Sequence, residues 1–198
     1  MSGCIYGRLT DAQIYSAMLN VDVDCFVGLA AELADALMRG RIEYVVGDAM
    51  EGYNPAHDVC RLVINAAARK VCRARHCIEN FQIVLTTPPG DPSTAGSDVA
   101  IEVDEQTLLE KLRAARNYSE LTADIDTILE KEGMNALRVE SLRRVTEERS
   151  DLIEERPYYE QYGRQQVAAG YYERVIRYRE HILPIAGALE QFVGGREK

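Results

Sequence analysis

Apolar positions fall at helical spacing in some stretches of the chain and in short β-rich runs in others. Thr10 and Asp11 stand before Ala-Gln-Ile-Tyr-Ser-Ala-Met-Leu. A side-chain oxygen there can take one of the free amides of a first turn, so a short helix is expected. A second helix follows, with Asp24 as its cap. Phe26, Leu29, Ala30, Leu33 and Leu37 recur at spacings of three and four, which gives it one apolar face, and Gly40 stands where it should stop. Residues 42–47 (IEYVVG) are β-rich and mostly apolar, as a buried strand of an α/β sheet would be. A polar loop over residues 48–55 leads into a helix over 56–73 with Val59, Leu62, Val63, Ala66 and Ala67 on its apolar face. Residues 81–87 and 99–103 read as further strands. Between them Pro88, Pro89, Gly90, Pro92 and Gly96 mark a loop. Asp104 is placed to cap a long helix that runs to about Glu132 and ends at Gly133. Beyond Gly133 the chain is rich in charge and tyrosine and is expected to be helical. Pro157, which lacks an amide donor, breaks it, and a last helix over 171–189 is interrupted by Pro184.

This alternation predicts an α/β fold with an open, mostly parallel sheet flanked by helices, Rossmann-like in outline, over residues 1–132. A helical C-terminal extension would occupy 133–198. Ligands of such sheets bind at the carboxyl ends of strands, which directs attention to the loop after residues 42–47.

That loop reads Asp48-Ala-Met-Glu-Gly-Tyr-Asn-Pro-Ala-His-Asp58. Gly52 permits a positive φ, and Pro55 suits the first turn of the helix that follows. His57 would lie near that helix's start, where a neutral imidazole can ligate a divalent metal. Asp58 or Glu51 could orient its other ring nitrogen. The plainer alternative is that these polar groups cap the helix and His57 is a satisfied buried histidine.

The segment Glu51-Gly-Tyr-Asn-Pro-Ala-His-Asp58 resembles the second motif, H-P-D-H, of PIG-L/LmbE-like zinc de-N-acetylases. Three further features agree in order. Gly7-Arg8-Leu9 and the helices up to Leu37 resemble the stretch before that family's P-D-V-V strand. Cys60 to Ala68 resembles its alanine-rich helix. Ile101-Glu-Val-Asp104, with Lys111 and Ala114-Ala115, resembles its later strand and helix. The resemblance covers roughly residues 5–125. It implies an LmbE-like fold and a zinc ion whose activated water attacks an N-acyl carbonyl, usually on an amino sugar. His57 takes the metal-ligand position of H-P-D-H. Asn54 takes the position that steadies the tetrahedral intermediate, where it can donate a hydrogen bond but carries no charge. Ala56 replaces the motif's aspartate. The family's first motif, H-P-D-D-E, is absent: Asp11, Asp22, Asp24 and Asp35 precede the loop, and none adjoins His-Pro. Since catalytic zinc needs three protein ligands, His57 alone cannot hold it tightly. The resemblance therefore implies a partial or degenerate domain that has lost its N-terminal half. A sheet edge left open by that loss would be covered by a second copy or a partner chain.

Composition narrows the rest. The chain has 198 residues, 46% of them hydrophobic, enough for a real core. It contains no long apolar run and no leader-like N-terminus, so no membrane association is expected and a cytoplasmic location is. A formal net charge of −9 argues against nucleic-acid partners. Arg69, Lys70, Arg73 and Arg75 form one basic cluster, expected at a helix C-terminus. The five cysteines show no disulfide framework and read as reduced, mostly buried thiols. Cys60, Cys72, His76 and Cys77 could suggest structural zinc, but no C-x-x-C pair exists and Cys77 would diverge from His76 on one helix. A His57–Cys60 nucleophile pair would be awkward on one helix face, and phosphate-loop and serine-elbow patterns are absent. Tyr158, Tyr159, Tyr162, Tyr171, Tyr172 and Tyr178 lie among arginines. They are expected to pack the helical extension, with a sugar, a base or a partner helix as the alternative occupant.

Two functions are expected from this sequence. The first is a metal-dependent hydrolase removing an acyl group from an amino sugar or other N-acyl substrate, with zinc on His57, Asn54 at the carbonyl oxygen, and Asp58 or Glu51 orienting the imidazole. The second is a non-catalytic module on the same scaffold, binding a glycan-like ligand or a protein partner through Asp48, Glu51, Asn54 and His57.

Overall fold

A computed structural model describes residues 8–74, 77–84, 98–118, 122–146 and 157–195. Helices α1 (Asp11–Leu19) and α2 (Val23–Gly40) precede strand β1 (Tyr44–Asp48), helix α3 (Pro55–Ala74) and strand β2 (Glu79–Ile83). Strand β3 (Val99–Glu102), helices α4 (Glu105–Arg116) and α5 (Thr122–Glu132) and strand β4 (Val139–Arg144) follow. Helices α6 (Tyr158–Ala168) and α7 (Leu183–Gly194) close the described chain, with a π-helical turn at Tyr178–Ile182 leading into α7. The fold is α/β, as expected. Its strands are mixed rather than mostly parallel: one pair is parallel, and β3 and β4 pair antiparallel. That pair is β1 and β2, joined by α3 as a β-α-β unit and bonded at their starts from the Glu79 amide to the Glu43 carbonyl.

The chain divides into two compact units, residues 1–82 with 145–198, and residues 83–144. Residue 133, the expected domain boundary, lies inside the second. In the first unit α2, α3 and α7 enclose one apolar cluster in which Phe26, Ala30, Val59, Leu62 and Ala66 meet Ile182, Ile185, Leu189 and Val193. Ala66, Ala67 and Ala68 are all buried; their small side chains let neighbouring elements come close to α3. The basic cluster at the end of α3 is used here. Arg73 donates to the Val193 carbonyl at 2.9 Å, Lys70 donates to the Gly195 carbonyl at 3.2 Å, and Arg69 pairs with Glu190. Cations thus neutralise the carbonyl end of α7, the favourable arrangement for a helix dipole. In the second unit β3 and β4 pair antiparallel, Val99 opposite Leu142 and Glu102 opposite Val139. Leu108, Leu112 and Leu137 form its core.

Several expectations are corrected. Asp22, not Asp24, caps α2, and that helix continues through Gly40 to end on Arg41 in the left-handed region (φ 48°). The long helix after Asp104 is two helices, α4 and α5, though Asp104 does cap the first and Gly133 (φ +77°) does follow the second. The region beyond 133 is not wholly helical, since β4 crosses it. Residues 171–177 are irregular, and Pro184 sits in the first turn of α7, where its missing amide is harmless, rather than interrupting a helix. The strand at 42–47 is not a buried one: β1 is an edge strand with Tyr44 and Val46 exposed. The proline-rich loop between the second and third strands, Arg75, His76 and Cys4 lie outside the described residues.

One buried side chain fixes the parallel pair. Arg61 of α3 is 1% exposed. Its Nε donates to the Asp48 carbonyl at 2.6 Å, one terminal nitrogen donates to the Phe81 carbonyl at 3.1 Å, and the other donates to Asn80 Oδ1 at 2.9 Å and Asn65 Oδ1 at 3.3 Å. Asn80 in turn donates to Asn65 at 2.8 Å. The guanidinium needs the space beside Gly47, where a Cβ would lie 2.8 Å from an Arg61 terminal nitrogen and 2.7 Å from Ile64 Cδ1. Gly47→Ala is therefore expected to destabilise the protein by about 1–3 kcal/mol through overpacking. Gly28→Ala, in open space on α2, should instead stabilise it by about 0.5–1 kcal/mol. Urea unfolding of the two variants beside wild type checks the contrast, and equal effects would remove the steric role given to Gly47.

Candidate functional site

The turn between β1 and α3 is built by helix capping. Asn54 precedes Pro55, and its Oδ1 accepts from the Ala56 amide at 2.9 Å, satisfying a first-turn donor that has no partner inside the helix. The Asn54 carbonyl accepts from the Asp58 amide at 3.1 Å. Gly52 takes φ +68°, the left-handed conformation anticipated for it. Asn54 Oδ1 also accepts from the Tyr15 hydroxyl at 3.3 Å, which ties the turn to α1. Burial raises the pKa of the Tyr15 phenol, favouring this donor form. With Oδ1 so used, the Asn54 side chain has its Nδ2 amide to offer a ligand.

The sequence-predicted residues separate into three places. His57 is half-exposed, and its Nδ1 lies 2.9 Å from Asp48 Oδ2. The carboxylate on the imidazole is thus Asp48, at the carboxyl end of β1. Asp58 turns inward and is 1% exposed. Its Oδ1 accepts from the amides of Glu51 (3.1 Å) and Gly52 (3.3 Å), so it holds the loop. Asn54 faces a third environment, a cleft of about 880 Å³.

That cleft was not foreseen as a unit. Its walls come from α1, the turn at Tyr53–Pro55, α6, and the irregular segment 171–176. Tyr53 and Tyr158 stack with centroids 5.2 Å apart and planes 5° from parallel. Tyr158 continues to Tyr162 at 6.1 Å, and Tyr162 meets Tyr172 edge-on at 6.4 Å. These rings are largely exposed (60% for Tyr53, 50% for Tyr158). The expectation that the tyrosines pack the extension holds for buried Tyr159 and Tyr178, whereas Tyr158, Tyr162, Tyr171 and Tyr172 are exposed. Arg174 closes one end by donating to Asn20 Oδ1 at 3.0 Å and to the Leu19 carbonyl. Gly163 lets segment 171–176 run close to α6, since a Cβ there would meet Val175 Cγ1 at 3.2 Å. Among the described residues, Glu173 and Arg174 are the charged groups lining the cleft, one of each sign.

Near the cleft two buried atoms, Asp58 Oδ2 and the Tyr159 hydroxyl, have no hydrogen-bond partner among the described residues. Tyr159 lines the cleft. Burial and then the Asp58 carboxylate hold its phenol well above the ordinary tyrosine range. Burial likewise pushes Asp58 up to about 6, against the opposing pull of the Glu51 and Gly52 amides. His181 is buried and accepts from the Arg177 amide at 2.9 Å through Nδ1. Among the described residues no cluster of three His, Cys, Asp or Glu side chains comes together. A zinc ion on His57 would need donors beyond Asp48 and His57. No helix among the described residues is long and apolar enough to cross a membrane.

No family model matches the chain. No curated protein matches it, and no solved structure matches its fold.

Asp58 gives the site a pH signature. Its folded pKa, about 6, lies above the ordinary value of 3.8. Between those values the folded chain binds more protons than the unfolded one, so stability falls with rising pH. The contribution is whole below about pH 4 and is lost as pH passes through about 6. Asp58→Asn removes this titration. Relative to wild type, the variant is expected to gain about 2 kcal/mol between about pH 4 and about pH 7.5. Urea unfolding at the two pH values measures this, and a difference that does not move with pH contradicts it.

Proposed function

We propose that the chain is a binding module for a neutral, glycan-like ligand held in the tyrosine-lined cleft. The observation that carries this is the run of exposed rings from Tyr53 through Tyr158 and Tyr162 to Tyr172 around one cavity. The C–H face of a sugar ring lies flat on an aromatic face. Ring hydroxyls need donors and acceptors at the edges, and the tyrosine hydroxyls, Asn54 Nδ2 and Arg174 supply them. A volume of about 880 Å³ fits a ligand of a few sugar rings. One positive and one negative side chain in the lining favour a neutral partner over a phosphorylated one.

The chain has 11 tyrosines and no tryptophan, and seven of those tyrosines line the cleft, so tyrosine fluorescence carries a signal from it. Titration with short N-acetylglucosamine oligomers is expected to give a saturable change. Tyr158→Ala should weaken binding about tenfold or more, the loss of at least about 1.4 kcal/mol from a central aromatic contact. A series of neutral oligosaccharides giving no saturable response sinks the proposal.

A second reading rests on the 2.9 Å contact between His57 Nδ1 and Asp48. A carboxylate on one ring nitrogen fixes the tautomer and leaves Nε2 for a metal, the arrangement common to ligating histidines. On this reading the chain is part of a PIG-L/LmbE-like hydrolase of an amino sugar or other N-acyl substrate, with a Rossmann-like relation through its β-α-β unit. Its remaining zinc donors would come from outside the described residues. After mild zinc loading, roughly one zinc per chain is expected on wild type and none on His57→Ala. Absence of zinc from both leaves the binding module alone.

A further inference from the structure

Cys72 and Cys77 are five residues apart. On one continuous helix they would point about 140° from each other and could not meet. Helix α3 ends at Ala74, however, and the chain leaves it before Cys77. The two sulfurs then lie 3.2 Å apart. A disulfide bond is about 2.05 Å long, so closing it needs a shift of about 1 Å, which side-chain rotation at Cys77 outside the helix can supply. Cys77 is exposed and Cys72 half-buried. The Ile78 amide donates to Cys72 Sγ at 3.1 Å. A backbone donor on sulfur stabilises the thiolate, the form that attacks and leaves in exchange.

We propose that Cys72 and Cys77 form a redox dithiol that is oxidised by low-molecular-weight disulfides such as oxidised glutathione. Exposed Cys77, as the thiolate, attacks one sulfur of the small disulfide. A Cys77–glutathione bond forms, the glutathione S–S bond breaks, and one glutathione thiolate leaves. Cys72, also as the thiolate, then attacks the Cys77 sulfur and displaces the second glutathione. The protein loses two electrons and the protons of both thiols. The small disulfide gains two electrons and leaves as two thiols. The new bond joins the last turn of α3 to Cys77, just ahead of β2, which begins at Glu79, and so ties the end of the helix covalently to the approach to that strand. Cys25 on α2 and Cys60 in the first half of α3 are also free thiols and are internal controls.

The test is incubation of the full chain in glutathione redox buffers, followed by intact-mass measurement and peptide mapping. Wild type is expected to lose two hydrogens and yield a Cys72–Cys77 linked peptide. Cys72→Ser should retain glutathione on Cys77, and that adduct should persist at least about tenfold longer than the transient one on wild type, because the resolving thiol is gone. Adding dithiothreitol should restore the wild-type mass. A wild type that accumulates stable glutathione on Cys77, or whose first disulfide involves Cys25 or Cys60, overturns the proposal. Circular dichroism of Cys72→Ser before oxidation separates a lost resolving thiol from a lost fold. A misfolded variant is replaced by Cys72→Ala, judged by the same persistence.

Discussion

The guanidinium of Arg61 is the point on which the first unit depends. The Asp48 carbonyl at the end of β1 and the Phe81 carbonyl within β2 both accept from one side chain of α3. Arg61 reaches from α3 to the Asp48 and Phe81 carbonyls and to Asn80, so one side chain holds β1, α3 and β2 in a fixed relation. A buried cation is tolerable because its donors are directed at fixed oxygens. The arrangement also explains a glycine in a strand where β-branched residues would otherwise be favoured, since Gly47 leaves the channel the guanidinium occupies.

Because Arg61 fixes the depth of α3 against the strands, it also fixes what the two ends of that helix present. At the N-terminus, Asn54 caps the first turn and faces the cleft, Asp58 braces the loop from inside, and His57 meets Asp48 on the strand end. At the C-terminus, Lys70, Arg69 and Arg73 anchor α7 while Cys72 reaches Cys77. A helix of 20 residues thus carries a cleft-facing end and a thiol-bearing end with the buried Arg61 between them. Changes at either end are separable so long as the centre is kept.

Much of this helix was legible because its signals are local. Pro55 at the first turn, the apolar positions from Val59 to Ala67 and the basic last turn all follow from spacing within one element. The same holds for the cap at Thr10 and for Asp104. What was not legible depends on partners distant in sequence. β4, with sequence VESLRR, has no strict alternation and becomes a strand because β3 pairs with it. The cleft draws Tyr15 and Tyr53 from one stretch and Tyr158 and Tyr172 from another more than a hundred residues on, and no periodicity announces that they converge. Arg61 gave no signal at all, as an arginine on the inner face of an amphipathic helix breaks the pattern used to find that face. The thiol pair was hidden for the opposite reason. A helix extended through residue 77 would have separated sulfurs that its actual end brings together.

The buried pair beside the cleft bears on how such a site is maintained. Asp58 places one oxygen on two loop amides and leaves the other buried, near a phenol, with neither atom partnered among the described residues. A core optimised for stability alone would seat an amide or an apolar group there, because an unpartnered buried polar atom costs about 1–3 kcal/mol. Two such atoms in one region, one of them on a residue that lines the cleft, mark a place where polarity is kept despite its cost. The proton that Asp58 takes up as pH falls relieves the carboxylate half of that strain. It also changes the charge felt by Tyr159, so the floor of the cleft and the loop that carries Asn54 respond to the same proton.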